Sequence, residues 1–170
     1  MSHRVMRLEL LPLHPARFSA FGQLPAEEGS EGDRADLEFR WSDPHLNTIS
    51  HRGDEVEWSA RGPLCELLNR HDSHTQALMP LDADALVVVA PAAADFARAE
   101  HFARVQAFRV RRYECFALHR GTWHWGPYPL ARGGSVQLLN VQGRRYREDN
   151  AIAWLSRDHG VRYEVLVTGD

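Results

Sequence analysis

Ten histidines occur in a chain of 170 residues, and His71, His74, His119 and His124 fall in two tight groups. Imidazole titrates near neutrality, so a pair of rings can take a proton from one atom of a small substrate and return it to another. The first group lies in Leu67–Leu81, where period-2 alternation from residue 74 puts His74, Gln76 and Leu78 on one face. His71 stands three residues earlier, and a turn at Asp72-Ser73 would fold it back toward the same space. The second group lies in Phe116–Leu130, where Gly121 reads as a turn between two strands, so that His124 emerges just beyond it. His45, His101 and His159 stand alone and read as ordinary, partly buried strand or loop histidines.

The elements that must position these rings are short. From residue 37 onward, apolar runs of five to eight residues such as ALVVVA, RVQAFRV and SVQLLNV alternate with turn formers such as Ser42-Asp43-Pro44 and Gly133-Gly134. That pattern predicts an all-β antiparallel sandwich or barrel rather than repeated βαβ units. Leu86 to Ala90 reads as a strand buried on both faces. Helices are expected only after His14, where Pro15 starts a turn that Gly22 stops, at about 92–103, and at 149–156. Residues 26–36 and the run Arg144-Arg-Tyr-Arg147 with Glu148-Asp149 read as solvated loops, the latter with internal pairing of its opposite charges. Trp123 and Trp125, which flank His124, are expected to pack.

Length fits one domain over residues 1–170, large enough to bury roughly two thirds of its unfolded surface. Hydrophobic content of 44% and charged content of 25% are those of a globular protein, and the net charge of −3 excludes a phosphate-neutralising surface. No nucleic-acid partner is expected. No apolar run reaches membrane-spanning or signal-peptide length, and the two cysteines, Cys65 and Cys115, lack any metal or redox spacing. A cytoplasmic location with both thiols reduced is the expectation.

The order R-H-x-x-x-T-Q-A-x-x-P at Arg70 to Pro80, L-V-V-V-A at 86–90 and H-R-G-x-W-H at 119–124 resembles the ureidoglycolate lyase family, formerly called ureidoglycolate hydrolase. The opening at 8–22 and Ile49-Ser-His-Arg52 are similar to that family's first strands. The resemblance implies a cupin-type double-stranded β-helix, usually a homodimer, that binds a small-molecule substrate and cleaves ureidoglycolate to glyoxylate and urea in purine and allantoin degradation. Carried over position by position, it implies His71, His124 and Gln76 as catalytic residues, and Arg52, His119 and Arg120 as substrate-binding ones, with Arg52 on the carboxylate; His74, which stands where the family pattern has another residue, is expected to join the binding residues. No cofactor is required by that chemistry. An alternative, common among cupins, is a divalent transition metal on His74, Gln76 and His124, acting on another small hydroxy or keto acid. A non-catalytic small-acid binder is the third reading. The chain departs from the family pattern at Asp72-Ser73-His74, at Trp125-Gly126-Pro127-Tyr128 and at Val141-Gln142.

Overall fold

In the computed structural model the described residues are 3–167, so residues 1, 2 and 168–170 of the expected domain lie outside them. The elements in chain order are β1 (Arg4–Pro12), α1 (Pro15–Phe18), β2 (Gly22–Gln23), β3 (Pro44–Arg52), β4 (Leu64–Cys65), β5 (Leu68–Arg70), β6 (Gln76–Pro80), β7 (Ala85–Ala90), β8 (Gln106–Val110), β9 (Phe116–Leu118), β10 (Trp123–Pro129), β11 (Ser135–Gly143), β12 (Ala151–Ala153), α2 (Leu155–His159) and β13 (Val161–Leu166). They form two sheets, ordered β12-β5-β10-β7-β8-β1-β13-β4 and β2-β9-β6-β11-β3. The mostly-β sandwich is as expected. Apart from the parallel pairings of β1 with β8 and β13, neighbours run antiparallel.

β7 is buried at all six positions because it has an apolar cluster on each face. Val87 and Val89 point at Phe18, Phe108, Phe116 and Leu138, between the two sheets. Leu86, Val88 and Ala90 point the other way, at Leu68, Tyr163 and Leu155, where the larger sheet curls back over itself. Phe18 of α1 stands edge-on to Phe108 and Phe116 with centroids 5.3 and 5.7 Å away, an arrangement aromatic quadrupoles favour. Among the described residues no helix is long and apolar enough to cross a membrane.

Three local expectations need correction. Residues 92–103 do not form an α-helix. They make successive i→i+3 turns, Ala94 to Pro91, Arg98 to Asp95 and His101 to Arg98, that end in a 3₁₀ segment at Ala99–Arg104. Ala94, Phe96 and Phe102 must all reach one cluster, and that spacing does not share a face of a 3.6-residue helix. Nor is 149–156 a helix throughout: Ala151–Ala153 pairs with the edge of β5, and α2 starts at Leu155. The 144–147 loop does not pair internally with Glu148 and Asp149. Instead Arg145 lies over Trp41 at 5.2 Å, and Tyr146 and Arg147 turn toward the cavity described next.

Candidate active site

Strand parity places the polar groups. Along β11 the inward residues change from Val136 and Leu138 to Asn140 and Gln142, and along β6 from Leu78 to Gln76. β3 contributes Ile49 and then Asn47 at the matching levels. The core therefore becomes a cavity at one end of the sandwich. There the carboxamides form a relay: Asn140 Nδ2 donates to Asn47 at 2.8 Å, and Gln76 Nε2 donates to Asn140 Oδ1 at 2.8 Å and to Gln142 Oε1 at 3.2 Å. Because the Gln76 amide nitrogen is committed to this relay, its Oε1 is left buried and without a partner. A buried acceptor of this kind is costly unless a ligand donates to it.

The histidines arrive from the other sheet and its connecting turns. Gly121, at φ +78°, makes the tight turn before β10, and its N–H donates to the carbonyl of His71 at 2.7 Å, which ties the two histidine segments together. His71 is 5.4 Å from His124 and 4.8 Å from His74 between ring centroids. His124 Nδ1 donates to the Thr122 carbonyl at 3.1 Å, and His71 Nδ1 donates to the Asp149 carbonyl at 2.5 Å. A carbonyl can only accept, so both rings carry their proton on Nδ1 and present Nε2 as a free lone pair. Burial, reinforced by the neighbouring His71, pulls the His124 pKa down to about 3. Burial and His71 likewise bring His74 to about 4, against the opposing pull of Asp149 and Asp43. His71 is lowered by burial, opposed by the Asp149 carbonyl and the nearby carboxylates. All three are neutral near pH 7.

Asp149 organises the mouth. Its carboxylate accepts from the amides of Asp72 at 3.0 Å and Ser73 at 2.8 Å and from the Ser73 hydroxyl. Burial works against the ionised form, but these bonds, the Ser73 hydroxyl's first, hold the carboxyl below its ordinary range. The turn that folds His71 back thus exists because a residue 77 positions on caps it. Nothing in the local sequence signals that pairing.

The cavity has a volume of about 500 Å³, and His71, His124 and Gln76 all line it. The other expected binding residues lie elsewhere. Arg52 is on the outer face of β3, in step with Ser50 and Thr48, and pairs with Asp54 at 2.9 Å. Parity instead points His51 inward, edge-on to Tyr128 at 4.9 Å and 3.6 Å from Glu55. His74 lies behind the wall, stacked between His71 and Phe39, and so close to β11 that a Cβ on Gly143 would meet its Nδ1 at 2.8 Å. His119 turns away to the Ser19 carbonyl at 3.0 Å. Arg120 braces the outside of the turn, through the Asp72 carbonyl at 2.9 Å and Glu38 at 3.3 Å. The arginine that does line the cavity is Arg147. Of the three carboxylates on the wall, Glu57 and Glu66 share Arg162 and Glu55 faces His51. Trp123 packs, as expected, against Phe96, whereas Trp125 also forms part of the wall.

The metal set meets a mixed result. His74 Nε2 and Gln76 Oε1 are both buried and unpartnered, as waiting ligands would be. Yet among the described residues no three His, Cys, Asp or Glu side chains come together closely enough to hold an ion.

Two sheets enclosing a cavity lined by imidazoles and carboxamides make this a β-sandwich with a candidate active site. Of solved structures, the chain is similar to a dTDP sugar isomerase from Desulfovibrio desulfuricans G20, at 11% identity and a TM-score of 0.42 over 78% of this chain and 80% of that one. No curated protein sequence matches it. The family model "Ureidoglycolate lyase" matches residues 34–159, which contain every cavity-lining residue named above, and the chain belongs to that family.

Proposed function

We propose that this chain cleaves ureidoglycolate to glyoxylate and urea. The substrate is a hemiaminal, so no attacking water is needed. A base takes the proton of the C2 hydroxyl, the C–O bond becomes a carbonyl, the C–N bond breaks, and the proton is delivered to the departing urea nitrogen. His124 and His71 are the proton carriers, since each offers a free Nε2 while its Nδ1 is pinned to a backbone carbonyl. A neutral imidazole that first accepts the hydroxyl proton becomes the acid that the leaving nitrogen requires. Gln76 Oε1 accepts an N–H of the ureido group, and Arg147 takes over the carboxylate role first given to Arg52.

The observation that carries this reading is the pair of Nδ1-locked imidazoles beside an unpartnered amide oxygen. A second reading, a divalent metal on His74, Gln76 and His124, is favoured by the buried, unpartnered His74 Nε2 and Gln76 Oε1. A glyoxylate-release assay with ureidoglycolate, with and without EDTA, separates the two. The proton-carrier reading expects activity that survives EDTA and falls ~10²–10⁴-fold in His124→Ala. Native-rate release by His124→Ala sinks it. A cytoplasmic location and a homodimer belong to the same reading, supported by the two unpaired cysteines and by Leu46, 66% exposed on the edge strand β3.

A further inference from the structure

The cavity is much larger than ureidoglycolate and is graded in character. At about 500 Å³ it falls within the range of sites for drug-sized ligands, ~300–1,000 Å³. Its polar end is the level of Asn47, Gln76, His71 and His124. Along β3 the inward face then runs through Ile49 to His51, four residues and so ~14 Å from Asn47. The lining also carries six apolar residues, Ile49, Val56, Leu64, Leu67, Trp125 and Tyr128, interspersed with Glu57 and Glu66, which are paired with Arg162, and Glu55, which faces His51. β10 bulges between Trp125 and Tyr128, and both residues line the cavity although they are three apart. Ureidoglycolate, with its carboxylate at Arg147 and its ureido N–H at Gln76, would leave this wall facing water. Apolar side chains next to a reacting site, with two of the carboxylates beside them already neutralised by Arg162, are matched by an apolar substituent.

We infer that the preferred substrate is an N-acyl-α-hydroxyglycine with an aromatic or bulky aliphatic acyl group, the acyl chain lying along the Ile49–Leu64–Trp125 wall. This inference rests on the proposed lyase chemistry and extends it. The same step applies and balances: the hydroxyl O–H and the C–N bond break, the aldehyde of glyoxylate forms, and the proton moves to nitrogen to release a primary amide. Water and redox partners take no part.

The test compares kcat/KM for N-benzoyl-α-hydroxyglycine and for ureidoglycolate on the full chain, with enzyme-free blanks and the same glyoxylate readout. Burial of a phenyl-sized group predicts a ~10–100-fold advantage for the benzoyl substrate. Leu64→Trp and Ile49→Phe, which fill the wall, should each cut the ratio of the two kcat/KM values at least ~10-fold, and a ratio cancels any common loss from imperfect folding. Turnover of ureidoglycolate with an equal or lower kcat/KM for the benzoyl compound overturns this inference and leaves the lyase reading standing. An unmoved ratio in both variants overturns it as well. Failure of wild-type protein to release glyoxylate from either substrate overturns the lyase reading itself.

Discussion

Replacement of Asp149 by alanine tests the most exacting part of the site's construction. Its carboxylate receives two backbone N–H groups and the Ser73 hydroxyl, and its own carbonyl receives the His71 Nδ1 proton. Hydrogen bonds to a charged acceptor are worth ~1.5–3 kcal/mol each when shielded. The side chain is 13% exposed and the turn lies at the mouth, so water replaces part of what is lost. The net cost is ~2–4 kcal/mol, and a chain of this size loses ~2–4 °C of Tm per kcal/mol, which gives a drop of ~5–15 °C. Catalysis should suffer separately. With the turn released, His71 loses both its position and its tautomer lock, and a misplacement of about 1 Å costs ~10²-fold in rate. Asp149→Asn keeps one acceptor oxygen and should fall between wild type and alanine in both measurements. Urea unfolding and glyoxylate release, run on the three proteins, provide the readouts. An Asp149→Ala protein within ~0.5 kcal/mol of wild-type stability, and within twofold in kcat, would refute the organising role, since measurable effects start above that level.

Arg147→Ala should raise KM for ureidoglycolate ~10–100-fold with kcat nearly kept, as loss of a charge-assisted clamp does, while Arg52→Ala should change neither value; equal effects from the two would send the carboxylate back to β3. Gln76→Ala removes the acceptor for the ureido N–H and should cost ~10–100-fold in kcat/KM, which the same assay reads. Stability should rise with pH across the acid range. The unfolded chain protonates His124 and His74 near 6.5, whereas the folded chain resists until about 3 and about 4. Each histidine thus contributes a slope of up to ~1.4 kcal/mol per pH unit between those limits, lost as pH falls. Urea midpoints measured from pH 4.5 to 7.5 should show it, and a flat profile in wild type, or one unchanged in His124→Gln, counts against the buried neutral state.

Much of this was readable from spacing. A continuous apolar run marked β7 and a short apolar run marked β11, Gly121 marked the turn before His124, and the period-2 run put Gln76 and Leu78 on one face. The same rule, applied to β3, would have separated Arg52 from the cavity: Ile49 is the apolar residue that must face the core, so Asn47 and His51 share its side and Arg52 does not. Asn140 and Gln142 follow from Val136 and Leu138 by identical counting. The residues beyond any local pattern are those set by long-range contacts. Asp149 reaches Ser73 and Arg147 reaches the cavity only because β12 adds to the edge of β5 and carries the preceding loop over the mouth. The stacking of His74 between Phe39 and His71 likewise depends on an isolated bridge from residue 39, in a stretch with no strand of its own.

On the proposed lyase reading, the charge states and the placement of arginine jointly set how a hydroxy acid enters. Three closely spaced, buried imidazoles cannot tolerate a standing positive charge, so none is an acid before the substrate provides a proton. The relay from Asn47 to Gln142 is likewise uncharged, and it offers the deep end polar contacts without a counter-ion for a carboxylate. A carboxylate driven inward would pay desolvation with no cation to offset it. On the proposed lyase reading the acid group therefore stays at Arg147, in the loop before β12, and the amide half goes toward Gln76. In the proposed reaction the proton taken from the hydroxyl by an imidazole is handed to the departing nitrogen, so the site returns to its neutral state as the products leave.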